Sequence, residues 1–157
     1  MDLKNILIFR IGHLGDTLVA LPALWAIRRA FPAARLTLLS NVDANNPNYL
    51  SAKNILPQRG LIDDWISYPT GLSKVGAAAA MTRLSLGIRR RKFDSAIYLM
   101  PRIRTAEQID RDIRFFSLSG IKKILGTKYL RENLLSDEIP TPTPTVQPES
   151  LSPSCST

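Results

Sequence analysis

Apolar residues along this chain alternate between short unbroken runs and stretches with helical spacing. That alternation predicts strands separated by helices. Asn5 to Phe9 (Asn-Ile-Leu-Ile-Phe) is a continuous apolar run of the kind found in strands buried on both faces. Thr17 to Ala30 is helical in pattern and rich in Leu and Ala, and Phe31-Pro32 ends it, because proline excludes the preceding residue from helical geometry. Arg35 to Ser40 predicts a second strand, Trp65 to Tyr68 a short third, Ser95 to Met100 a fourth and Lys122 to Gly126 a short fifth. Asn45 to Leu56 is ambiguous, with Pro47 as a helix start and Pro57 as its stop.

Two further helices follow from the pattern. Gly71 to Lys92 has an alanine-rich centre, Ala77 to Ala80, and a basic end, Arg89-Arg90-Arg91-Lys92, which complements the helix dipole. Thr105-Ala-Glu-Gln108 fits a capping box. Ile109, Ile113 and Phe116 follow at helical spacing, with Glu107/Arg111 and Asp110/Arg114 one turn apart on the other side. Strands alternating with helices imply an α/β fold: a Rossmann-like parallel sheet with helices on both faces and right-handed crossovers. Residues 1–135 are expected to form this domain. From Ser136 the composition shifts to Pro, Thr and Ser, so 136–157 is expected to be a disordered tail.

Between the first strand and the first helix lies Arg10-Ile11-Gly12-His13-Leu14-Gly15-Asp16. In a doubly wound sheet, ligands sit at the carboxyl ends of the strands, where this turn falls. A dinucleotide site fits poorly: the spacing is Gly-x-x-Gly, and Ser40-Asn41 closes the second strand without the acidic residue that holds a ribose. A Walker phosphate loop is excluded, since no Gly-Lys-Ser/Thr follows. Asp16 reads either as a helix cap or as a general base at the mouth of the sheet. A helix N-terminus favours an ionised carboxylate and so makes a weaker base, still able to take a proton late in a reaction. Pro22 adds a local question. Inside a helix begun at Thr17 it costs about 3 kcal/mol or kinks the helix; otherwise the regular helix begins nearer Pro22.

Composition narrows the class. The 157 residues allow one domain with a real core, with 45% hydrophobic and 22% charged residues. The formal charge of +8 favours an acidic partner or else is a basic solvated surface. One cysteine, Cys155, and one histidine, His13, exclude an internal disulfide framework and a Cys- or His-rich metal centre. No secretory signal or membrane-spanning run is visible, so a cytoplasmic protein is expected. Arg102 and Arg104 follow the fourth strand at the ligand side and either grip phosphates or carboxylates or form a solvated basic loop. In Asp110-Arg-Asp112 the two acids stand two apart on a helix and do not face together, which favours salt-bridge partners over metal ligands.

The run from Arg10 through Gly15-Asp16, Leu21-Pro22-Ala23-Leu24 and Phe31-Pro32 resembles the N-terminus of glycosyltransferase family 9, the lipopolysaccharide heptosyltransferases and their relatives. Lys92-Phe93-Asp94 before a strand, Asp112-Ile-Arg-Phe-Phe, Gly120-Ile and Gly126 extend the resemblance over residues 4 to 126. It implies the N-terminal half of a GT-B fold, which binds a glycolipid or oligosaccharide acceptor of the lipopolysaccharide-core type. Asp16 is then the base that deprotonates an acceptor hydroxyl for attack on a nucleotide-sugar donor, without a metal or other cofactor. Arg10, Gly12, His13, Gly15, Arg102 and Arg104 become candidate acceptor contacts. His13 stands where heptosyltransferases often carry a small hydroxyl residue, and it also reads as an exposed loop residue.

The family's donor-binding domain has no counterpart here, so a truncated form, inactive alone, is expected. Peripheral contact with the cytoplasmic face of the inner membrane is compatible with the charge, and no nucleic-acid partner is expected from the resemblance. The competing reading is a non-enzymatic basic module for an anionic ligand, a membrane surface or nucleic acid. Its support is the charge and the basic runs at 89–92 and 122–123; against it, aromatics are not interleaved with those runs.

Overall fold

A computed structural model describes residues 3–46, 49–57, 60–100 and 104–132. The tail expected at 136–157 and the candidate Arg102 lie outside these residues. The strands are β1 (Asn5–Phe9), β2 (Arg35–Asp43), β3 (Asp64–Thr70), β4 (Ser95–Tyr98) and β5 (Ile124–Leu125). Between and after them come α1 (Leu14–Val19), α2 (Leu21–Ala30), α3 (Ala52–Ile55), α4 (Lys74–Arg91), α5 (Ala106–Leu118) and α6 (Thr127–Glu132). All pairings are parallel, in the order β3-β2-β1-β4-β5. This is the Rossmann-like sheet that the alternating pattern predicts.

Side-chain alternation along β1 splits the core in two. Ile6 and Ile8 join Leu36, Leu38, Leu24 of α2 and Ala52 of α3 on one face. Leu7 and Phe9 join Leu39, Tyr98, Ile88 of α4, and Ile109 and Phe116 of α5 on the other. Phe9 meets the Phe116 ring edge-on, with centroids 4.9 Å apart, a favoured aromatic geometry. Burying each such side chain contributes about 1.5–3 kcal/mol, so this one strand anchors both layers of helices. The chain winds away from β1 in opposite directions through β2 and β4, which places the crevice of the sheet beyond the carboxyl end of β1.

Three sequence expectations are refined. The helix expected from Thr17 to Ala30 is two helices meeting at Ala20, because Pro22 sits in the first turn of α2 and has no N–H to continue the ladder. Among the described residues of the ambiguous 45–56 segment the one helix is the single turn α3, with Ser51 at its N-cap; Pro47 lies outside the described residues. The third strand extends to Thr70 through Pro69, tolerated because β3 is an edge strand. The Thr105 capping box is present, with the Gln108 N–H donating to the threonine hydroxyl at 3.3 Å.

Several motif residues serve this frame. Asp94 Oδ2 accepts from the backbone N–H groups of both Lys4 and Asn5 at 2.8 Å, closing the entry of β1. Gly126 has φ +94° and a Cβ there would stand 2.9 Å from the Tyr98 carbonyl oxygen, so only glycine fits the close approach. Asp63 accepts from the Leu36 N–H and from Arg28, while Asp64 is bridged by Arg35 and by Arg91 at 2.6 Å. Arg91, read as part of a dipole-complementing run, is therefore tied to the sheet.

Burial pushes the Asp63 and Asp64 carboxyls up, but backbone N–H donors and the neighbouring arginines outweigh it, so both lie below their ordinary value. The unfolded-chain value is about 3.9, so these groups stabilise the fold above that pH, and the contribution is lost as the pH falls through the folded values. Asp63→Asn combined with Asp64→Asn should flatten the acid limb of a melting-temperature series between about pH 5 and pH 2; an acid limb as steep as the parent's would assign it to other groups. Asp94→Ala should cost about 1–2 kcal/mol in urea unfolding, and an unchanged midpoint would show that water replaces the carboxylate.

Candidate functional site

The turn after β1 is built on the buried side chain of Arg10, which is 7% exposed. Its backbone N–H still donates to the Leu39 carbonyl at 3.0 Å, so the strand pairing runs one residue past β1. The guanidinium Nη2 donates to the backbone carbonyl of Asp16 at 2.8 Å and lies 3.8 Å from Asp16 Oδ1. Its Nη1 reaches the Ile11 carbonyl at 3.3 Å. Burial pulls the guanidinium below its ordinary value and Asp16 opposes that pull. An arginine remains a cation under such a shift. Arg10 is therefore an internal strut of the loop.

His13, with extended backbone, stands at the N-cap of α1, and Asp16 follows three residues in. Asp16 is thus not the cap residue. Its Oδ2 accepts from the His13 backbone N–H at 2.9 Å, satisfying one of the donors that a helix start leaves unpaired. The Asp16 side chain is 45% exposed, so its remaining lone pairs face solvent beside the Arg10 charge. The His13 side chain is exposed, and its carbonyl accepts from the Thr17 N–H at 3.1 Å. Cap and base are compatible roles here, because the cap uses only one oxygen.

The two glycines of the turn differ. A Cβ at Gly12 would fall 2.6 Å from Asp16 Oδ2 and 2.8 Å from Asp16 Cβ, so the carboxylate lies directly over the bare Gly12 Cα. A Cβ at Gly15 meets nothing within 4 Å. Gly15 leaves an open surface beside Asp16 and is not required by the backbone. Two residues that sequence reasoning missed complete the turn. Asn41 Oδ1 accepts from the Gly12 N–H at 3.0 Å, and Tyr49 Oη donates to the Gly12 carbonyl at 3.1 Å. Asn41 Nδ2 donates in turn to Tyr49 Oη at 2.8 Å. β2 runs on past Ser40-Asn41, where the sequence reading closes it, to Asp43, so Asn41 lies inside the strand; its position was visible in the sequence, but its partner was not.

Arg104 belongs to a different cluster. Its Nη2 and the Tyr98 hydroxyl both donate to Asp112 Oδ2 at 2.8 Å. Burial first, then Asp112 alongside, push the Tyr98 hydroxyl above its ordinary range. Asp112, read as a salt-bridge partner, pairs with Arg104 and Arg111, and it does so from a buried position. The cluster borders a cavity of about 520 Å³ on the α4–α5 side, lined also by Phe9, Ile11, Tyr68 and Met81. The structure therefore gathers Arg10, Gly12, His13, Gly15 and Asp16 into one turn and places Arg104 with Asp112.

No protein-family model matches this sequence, and no curated protein matches it. Among solved structures, a glycosyl transferase family 9 protein from Veillonella parvula DSM 2008 is similar, with a TM-score of 0.57 and 19% identity. The match covers 79% of this chain and 32% of that one. At this identity the likeness establishes a shared fold. The chain spans about a third of the length of the solved protein it matches.

Gly12→Ala should cost about 1–3 kcal/mol in chemical unfolding, as an overpacked methyl displaces the Asp16 carboxylate. Gly15→Ala should leave the unfolding midpoint unchanged or slightly raised, alanine being the better helix former. Equal losses in the two variants would remove the distinction between the packed glycine and the open one.

Proposed function

We propose that this chain is the acceptor-side domain of a family 9 type glycosyltransferase, with Asp16 as its general base. The observation that carries the reading is the half-used carboxylate of Asp16. One oxygen is fixed by the His13 N–H, and the rest is open to solvent at the carboxyl edge of the sheet. The likeness in fold to a family 9 structure and the resemblance of residues 4 to 126 support it. In the reaction, an acceptor hydroxyl oxygen forms a bond to the anomeric carbon of a nucleotide-activated sugar. The bond from that carbon to the nucleotide diphosphate breaks, and the diphosphate departs with the electron pair. The hydroxyl proton passes to Asp16. The open surface at Gly15 and the exposed His13 ring are where the acceptor meets the chain.

The acceptor class is a glycolipid or oligosaccharide of the lipopolysaccharide-core type, and the donor site lies outside the described residues. A glycolipid acceptor brings the chain to the cytoplasmic face of the inner membrane, for which the +8 charge is suited. Among the described residues no helix is long and apolar enough to cross a membrane.

Titration of the purified chain with core oligosaccharide should perturb the amide resonances of residues 11 to 17 and leave β5 unmoved. Asp16→Asn should keep the affinity within about threefold, since the base acts on the reaction and not on ground-state binding. Incubation with nucleotide-sugar and acceptor should give no turnover by the chain alone. Absence of any glycan-induced shift, together with salt-sensitive DNA binding that survives Asp16→Asn, would overturn the proposal in favour of a basic binding module.

A further inference from the structure

A continuous hydrogen-bond chain runs from Asn41 in β2 to Asp16. Asn41 Nδ2 donates to Tyr49 Oη at 2.8 Å, and Tyr49 Oη donates to the Gly12 carbonyl at 3.1 Å. That carbonyl shares its peptide unit with the His13 N–H, which donates to Asp16 Oδ2 at 2.9 Å. In a planar trans peptide the C=O and the N–H point in opposite directions. A donor on the oxygen therefore polarises the N–H on the far side, and hydrogen bonds in series strengthen one another. Asn41 Oδ1 also accepts from the Gly12 N–H at 3.0 Å, so the peptide units on both sides of the Gly12 Cα are held.

From this geometry we propose that Asn41 and Tyr49 are positioning residues for Asp16, acting through the Gly12–His13 peptide. The inference rests on the reading of Asp16 as the base. Neither side chain touches the carboxylate. Tyr49 instead fixes the orientation of the one N–H that holds Asp16 Oδ2, and it strengthens that donor. Asn41 fixes Tyr49 and anchors the other side of Gly12 to the sheet. A Cβ at Gly12 would fall 2.6 Å from Oδ2, so the carboxylate packs against the bare Cα of the residue whose two peptide units Asn41 and Tyr49 hold. The base is thereby tied to β2 as well as to its own strand. The orientation of its proton-accepting oxygen is inherited from the pairing of β1 with β2, in which Phe9 stands opposite Leu39.

The test is amide NMR on the full chain with Tyr49→Phe, which removes one oxygen atom, and with Asn41→Ala. The amide proton of His13 reports its acceptor directly. In both variants that resonance should move upfield. Its solvent exchange should accelerate roughly tenfold, the loss expected for one net hydrogen bond. Exchange of the Ile6 to Ile8 amides should stay within about twofold of the parent. A His13 resonance and exchange rate unchanged in both variants would overturn the proposal. So would exchange accelerated equally throughout β1, since the two residues would then serve only the fold. None of these readouts needs turnover or acceptor, so a failure of glycan binding with the His13 signature intact would count against the glycosyltransferase reading alone.

Discussion

A parallel strand with hydrocarbon on both faces and a neighbour along each edge has no solvent to satisfy its ends, and β1 is in that position. Its first amides are met by Asp94, delivered from the turn that follows α4. Its last turn is met by Arg10, which folds back under the loop and spends its donors on carbonyls. Asn41 and Tyr49 satisfy the next peptides. Both layers of helices depend on side chains of the same strand. The site is in this sense a by-product of terminating a buried strand: the groups that close β1 are also those that set the carboxylate in place.

That dependence explains what the sequence revealed and what it withheld. Apolar runs marked β1 and β2, because burial on both faces leaves an unbroken signature at Asn5 to Phe9 and Arg35 to Ser40. The Gly-x-x-Gly-Asp turn was also legible, since glycine and aspartate at a strand-to-helix junction report local geometry. The partnership of Asn41 and Tyr49 with Gly12 was not. It arises from the register of β1 against β2 and from a loop that returns across the sheet, and neither leaves a local pattern. Pro22 signalled a disturbance, and the structure resolves it as a break at Ala20, whose N–H caps α1 and whose carbonyl starts α2.

Arg104 and Asp112 show the converse. Both residues attracted attention as charges, one as an anion grip or a solvated loop residue and the other as a salt-bridge partner. Their meeting with Tyr98 is a tertiary fact set by β4 lying beside β1 and by α5 packing over Phe9. Asp112 is spaced four residues after Gln108 and four before Phe116, so it shares the inward side of α5. A buried carboxylate of this kind requires donors, and Arg104 and Tyr98 supply them. The same arginine that composition suggests for ligand binding is thereby partly spent on the fold, leaving the Asp16 turn as the more exposed chemistry.

The interruption at Ala20 has a structural meaning. Six-residue α1 carries Asp16 and presents Leu18 and Val19 to solvent, at 48% and 82% exposure, whereas α2 holds Leu24 fully buried. Pro22 leaves one rung of the ladder unmade between them, so the turn that carries Asp16 and the helix that fills the core are two elements. The bonds that hold Asp16, from Arg10 and from the His13 N–H, accordingly lie on the side of β1 and not along α2.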